Sequence, residues 1–213
     1  MTCCHRCATA QQFDSTVASR DLRRFRKRGP DASTRQLLVG VQAASLPAAA
    51  SVLDIGGGIG AIHHVLLSRG FSRATHLDAS EAYLAAAADE ARRLGHADRV
   101  SFLLGAFPTE AVAVPPADVV TLDRVVCCDP DYANLLGAAA QHARHLVAFS
   151  YPRPRLVTRL VVATTNGLRR LAGRGFRAFV HPPQAMWAVL ERAGLERSWS
   201  GGTWIWAVET WRR

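Results

Sequence analysis

SVLDIGGGIGAIHHVLLSRG, residues 51–70, decides how the rest of the chain is read. Its first five residues, Ser51–Ile55, have the length and branched side chains of a buried strand. Four glycines follow, Gly56, Gly57, Gly58 and Gly60, and then an apolar stretch at helical spacing. A strand, a glycine turn and a helix in direct succession open a βαβ unit. Such a turn lets the backbone come close to a ligand.

The turn admits two readings. Gly56-x-Gly58-x-x-Ala61 passes for a dinucleotide fingerprint, in which bare amides at a helix start hold a pyrophosphate. Asp54-x-Gly56-x-Gly58-x-Gly60 is the other pattern, and charge chooses between them. A carboxylate two residues before the first glycine repels a pyrophosphate. S-adenosylmethionine has no phosphate and carries an ammonium and a sulfonium, which a carboxylate favours. Asp54 therefore points to S-adenosylmethionine as the cofactor of this turn. Asp78, 18 residues beyond Gly60, ends the next strand, where a carboxylate can accept both ribose hydroxyls, with Ala79 beside it. That device serves NAD as well, and a plain helix cap before Ser80 is its structural alternative.

Working outward, short apolar strands alternate with helices. The strands are expected at 51–55, 74–78, 99–104, 118–123 and 145–151, with helices at about 59–69, 81–94, 131–143 and 155–172. Ser80 caps the helix that Gly95 ends. After a helix at about 183–193, WSGGTWIWAVETW reads as two strands reversing around Gly201-Gly202. The expected fold is α/β: a Rossmann-like, seven-stranded, mostly parallel sheet with helices on both faces and an antiparallel C-terminal strand. Residues 1–34 read as an N-terminal helical extension or lid, and 35–213 as the cofactor-binding domain. In the extension a helix spans about Asp14 to Lys27 and stops at Gly29-Pro30. Ser33 and Gln36 suggest a capping box for the next helix, with Leu37, Val41 and Ala44 as its buried stripe.

Composition narrows the function. The net charge is +9, yet Lys27 is the only lysine and the arginines spread along the chain apart from the run Arg20 to Arg28. A solvated helix face accounts for that run, and nucleic acid is not the expected partner. The best candidate for a spanning stretch, Leu156 to Ala163, is broken by Arg159, so no transmembrane segment is expected. MTCCHRCATAQQF lacks the apolar core of a secretory signal, and the expected location is cytoplasmic. Nothing in the sequence sets the oligomeric state. The five cysteines, Cys3, Cys4, Cys7, Cys127 and Cys128, read as thiols or ligands instead of disulfides. His63 and His64 follow the turn on a helix, where one is expected to pack and the other to face water.

Residues 51–150 resemble class I S-adenosylmethionine-dependent methyltransferases. These usually carry an acid after the third strand, near the adenine amine; here the stretch is Gly105-Ala106-Phe107. The resemblance implies that Ala106 and Phe107 hold the adenine by backbone and packing. It places Asp123 beside the methyl-transfer position. From the fourth strand onward the chain is similar to the magnesium-protoporphyrin O-methyltransferases. These carry Leu-Asp followed by Ile-His-Tyr-Pro, and later Arg-Ala-Tyr-Leu-His; here the stretches read LDRVVCCDP (Leu122 to Pro130) and RAFVH (Arg177 to His181). Aligned on Pro130, Cys128 replaces the family's active-site histidine and Asp129 its tyrosine. A thiol is a different instrument from an imidazole, so this departure argues against methylation of a porphyrin carboxylate and leaves the fold and cofactor untouched.

The implied activity is methyl transfer to a small-molecule acceptor, with oxygen favoured. Cys128, His181 and Tyr151 are the catalytic candidates at the acceptor side. Three roles stay open for the paired thiols: packing, contact with the acceptor, or holding a soft metal or metalloid together with the N-terminal cysteines. No metal site is assigned. The alternatives are a metalloid or thiol methyltransferase using Cys127 and Cys128, a cofactor-binding protein without catalysis, and an NAD-dependent oxidoreductase.

Overall fold

The structure is a computed structural model that describes residues 8, 11–109 and 114–213, so Cys3, Cys4 and Cys7 lie outside it. Seven strands form one sheet: β1 (Ser51–Ile55), β2 (Arg73–Asp78), β3 (Val100–Leu104), β4 (Ala117–Leu122), β5 (Ala143–Pro152), β6 (Glu196–Gly202) and β7 (Trp206–Arg212). Their order is β3-β2-β1-β4-β5-β7-β6. The first five strands are parallel, and β7 runs antiparallel to both its neighbours. This is the expected fold class. The order reverses direction between β1 and β4, so a crevice opens past their carboxyl ends.

Every residue of β1 is buried, as a central parallel strand covered on both faces requires. Alternate residues feed two apolar cores. Leu53, Val120, Leu122 and Phe149 join the one containing Leu135 and Leu136. Val52, Val119 and Ala148 join the one containing Leu37, Val41 and Leu66.

The helices are α1 (Ser15–Arg28), α2 (Ala32–Gln42), α3 (Ala61–Ser68), α4 (Glu81–Leu94), α5 (Tyr132–His142), α6 (Leu156–Leu171) and α7 (Pro183–Arg192). Asp14 caps α1, accepting from the Val17 amide at 3.0 Å, and Gly29 ends it. Ser80 caps α4 and left-handed Gly95 ends it. Helix α1 packs on α4: Arg26 Nε donates to buried Glu90 at 2.8 Å, and Tyr83 Oη donates to Asp21 at 2.8 Å. Helix α6 turns Leu156, Leu160, Leu168 and Leu171 outward.

Three expectations are corrected. Helix α2 starts two residues earlier than the capping box implies. Asp31 is its cap, accepting from the Thr34 amide at 3.2 Å, and Ser33 Oγ is consumed as a donor to the same carboxylate at 3.0 Å. The chain reversal lies at residues 203–205, with Gly201 and Gly202 inside β6. There the Trp199 ring leaves no room for a Cβ on Gly201, and the Trp206 carbonyl leaves none on Gly202. His63 and His64 are both buried, because α3 is wedged between the sheet and the end of α4.

Candidate functional site

A cavity of about 450 Å³ sits in the crevice past β1 and β4. The glycine turn forms its floor. Gly56 and Gly58 have φ of 60° and 57°, the left-handed region that favours glycine. The Gly56 amide donates to the Leu77 carbonyl at 2.7 Å, and the Gly58 amide donates to Asp78 Oδ2 at 2.9 Å. Gly57 is held by crowding: a Cβ there would lie 2.6 Å from Asp54 Oδ2 and 2.8 Å from His76 Cε1. Gly60 has φ of 79° but does not line the cavity; it makes room for the His63 and His64 rings.

Asp78 and Ala79 line the cavity beside this floor. Asp78 Oδ1 accepts from the Ser80 amide at 2.8 Å, so one backbone amide holds each carboxylate oxygen. Each oxygen keeps a further lone-pair direction for a ligand hydroxyl. Burial pushes the carboxyl up to about 6 against the pull of these amides. Ala106 and Phe107 complete the wall past β3.

Asp54 does not face the cavity, which corrects the charge argument that singled it out. It is fully buried beneath the turn, its Oδ1 accepting from Thr121 Oγ1 at 2.8 Å and its Oδ2 lying 3.0 Å from His63 Nδ1. Side chains alternate along a strand, and Asp54 shares its face of β1 with Val52, the face covered by α2 and α3. Asp78 is instead the acid beside the glycine turn that meets the ligand space.

The opposite wall follows β4. Asp123 lines the cavity; its Oδ1 accepts from Ser150 Oγ at 2.5 Å and its Oδ2 from Thr34 Oγ1 at 2.6 Å. Burial raises this carboxyl, opposed by the neighbouring Arg124 guanidinium. Arg124 has φ of 60°, a left-handed conformation sparsely populated by arginine. Its amide donates to Ser150 Oγ at 2.8 Å and its guanidinium to Asp31 Oδ2 at 2.6 Å, tying β4, β5 and the start of α2 together.

Cys127 and Cys128 stand on the 3₁₀ turn Val126–Cys128, and both line the cavity. Each thiol donates to the Arg124 carbonyl at 3.3 Å, and the sulfurs are 3.8 Å apart. The hydrogen bond with Cys128, together with burial, pushes the Cys127 thiol well above the usual thiol range. His181 holds this turn from outside: its Nε2 donates to the Val126 and Asp129 carbonyls, 3.1 and 2.9 Å away. It does not reach the cavity, so it is a positioning residue. Tyr151 is also off the cavity, donating from its hydroxyl to Glu209 at 2.7 Å in the core. Of the three catalytic candidates, Cys128 alone faces the ligand space.

Phe13, Asp21, Arg24 and Phe25 cover the cavity from the N-terminal side, and Phe176 and Ala178 from the other. Sequence reasoning missed Thr34, Ser150 and Tyr83. Tyr83 was within reach, one turn into the helix after Asp78. Thr34 and Ser150 carry no local signal, since each meets Asp123 across a long stretch of chain.

This sheet order, with a glycine turn after β1 and an acid after β2, is the class I S-adenosylmethionine-dependent methyltransferase fold. No family model matches the chain and no curated protein matches its sequence. Solved structures do. Magnesium protoporphyrin IX methyltransferase from Synechocystis PCC 6803, with bound SAH, has a TM-score of 0.70 at 18% identity over 94% of this chain and 100% of that one. An O-methyltransferase family 2 protein from Planctomyces limnophilus, in complex with apigenin, has a TM-score of 0.71 at 16% identity over 97% and 64%. The [4+2]-cyclase SpnF has a TM-score of 0.62 at 14% identity over 84% and 81%. No helix among the described residues is long and apolar enough to cross a membrane.

Proposed function

We propose that the cavity binds S-adenosylmethionine and that the protein transfers its methyl group to a small-molecule acceptor, with oxygen favoured. The observation that carries this is the 2.9 Å bond between the Gly58 amide and Asp78, which joins the glycine floor to a carboxylate with free lone pairs. The residues fit the cofactor. Gly58 has no side chain within 3.8 Å of its would-be Cβ, so its backbone is open to a ligand. Asp78 suits a ribose diol, and Ala106 with Phe107 offers an apolar slot for a base that needs no acidic partner.

When bound, the sulfonium supplies an activated methyl and a good leaving group, so the protein's share is positioning and water exclusion. Asp123 and Arg124 fix the edge where the methyl would face, through Ser150, Thr34 and Asp31. The aromatic rings of Phe13, Phe25 and Phe176 would take an acceptor with a substantial apolar face. Helix α1 and its flanking residues serve as the lid.

Calorimetric titration with S-adenosylhomocysteine tests the cofactor, and a labelled-methyl screen across phenols, carboxylic acids, amines and thiols tests the transfer. Preference for NADH would support an oxidoreductase. Tight cofactor binding with a blank screen would support binding without catalysis. The paired sulfurs, 3.8 Å apart in the wall, favour one second reading, a trivalent metalloid as acceptor. Arsenite binding that survives replacement of both Cys127 and Cys128 by alanine would remove it.

A further inference from the structure

Beneath the glycine turn lies a polar cluster that takes no part in the proposed methyl transfer. Asp54, His63 and His76 are all fully buried, on β1, α3 and β2. We propose that these three residues bind a divalent first-row transition ion, Zn²⁺, as a structural centre bracing the turn.

Spacing is the first argument. His63 Nδ1 lies 3.0 Å from Asp54 Oδ2 and 3.3 Å from His76 Nδ1, and one donor atom from each residue falls within 4.8 Å of the others. Around tetrahedral zinc, with bonds of about 2.0–2.1 Å to nitrogen and oxygen, neighbouring donors sit about 3.3 Å apart. One edge has that length and a second is 0.3 Å shorter.

Hydrogen bonding is the second. A neutral imidazole carries one proton, so His63 Nδ1 cannot donate to Asp54 and accept from His76 as well. With the His63 Nδ1 proton given to Asp54, the 3.3 Å contact to His76 Nδ1 has no hydrogen bond in it, and native interiors avoid such buried unpaired contacts. A cation at the centre uses the carboxylate and both Nδ1 lone pairs at once.

Charge is the third. Asp54 has no arginine or lysine partner among the described residues, and Thr121 Oγ1 fixes its other oxygen at 2.8 Å. A buried carboxylate needs a positive partner, and a cation held with the two imidazoles supplies one. Imidazole and carboxylate without thiolate suit zinc, cobalt or nickel over copper(I). The His64 ring packs against that of His63, 4.2 Å away between centroids. Because a Cβ on Gly57 would touch both Asp54 and His76, the ion would press directly against the cavity floor.

The test uses the full chain, stripped with a chelator and titrated with Co²⁺ in the absence of S-adenosyl compounds, so its outcome is independent of the proposed cofactor. One Co²⁺ per chain is expected, with visible d–d absorption and no sulfur-to-cobalt charge-transfer band. The site should persist after all thiols are alkylated, and Zn²⁺ should raise the melting temperature. His76→Gln should weaken Co²⁺ binding at least tenfold. Failure to bind a stoichiometric ion overturns the proposal. So does a sulfur charge-transfer band that vanishes on alkylation, which would assign the ion to cysteines. Should the variant not fold, the wild-type stoichiometry and spectrum still decide.

Discussion

Replacing Asp78 with asparagine removes one charge and one acceptor from the cavity while keeping the side chain's shape. In the wild-type protein the two carboxylate oxygens are held at 2.9 Å by the Gly58 amide and at 2.8 Å by the Ser80 amide. Both would then accept a ribose hydroxyl. Hydrogen bonds to a charged group are each worth about 1.5–3 kcal/mol. Asparagine keeps one acceptor and turns an NH₂ toward an amide donor, so the net loss should be about 3 kcal/mol. That corresponds to roughly 150-fold weaker binding of S-adenosylhomocysteine. Calorimetry reads the loss, and circular dichroism confirms that the variant is folded. A dissociation constant within about threefold of wild type in a folded variant would refute the reasoning. The pH dependence is a second readout of the same group. Its carboxyl is pushed up to about 6, so the acceptor form is lost as pH falls through that value. Wild-type affinity should drop about tenfold from pH 7 to pH 5, and the asparagine variant should show no such step.

Three further outcomes follow from the same structure. Gly60→Ala should lower stability by about 2–3 kcal/mol, read as a fall in melting temperature, because φ is 79° and the new Cβ would lie 2.4 Å from His63 Cε1. Thr34→Val deletes the 2.6 Å bond to Asp123 and should cost about 1–3 kcal/mol in urea unfolding, while leaving the α2 cap at Asp31 in place. Cys127 should alkylate with iodoacetamide more slowly than a free thiol at pH 8, since burial and Cys128 hold its proton; mass spectrometry should find Cys128, the more exposed of the two, modified first.

The parallel part of the sheet was legible because its signals are local. Apolar runs of strand length, glycine and proline punctuation and the Ser80 cap place β1, β2 and α4 to within a residue. What the sequence hid depends on direction and on distance along the chain. Asp54 sits in the motif that suggests ligand contact, yet strand alternation turns it under the floor, where His63 and His76 meet it. Ser33 looked like a cap until Asp31, a stronger acceptor two residues earlier, claimed its hydroxyl. His181 and Cys128 were expected to share a site, and they do share a turn. The imidazole grips the outside of that turn and the thiol faces inward. No local pattern announces that Thr34 and Ser150 converge on Asp123, because only the closed sheet and the docked α2 bring them together.

A crystal structure of the protein with S-adenosylhomocysteine tests the central claim most directly. The account predicts the ribose hydroxyls on Asp78, the amino-acid end over Gly56 and Gly58, and the sulfur turned toward Asp123 and the cysteine turn. A pyrophosphate compound seated on the glycines in competition with it, or an adenosine bound away from Asp78, would contradict the account.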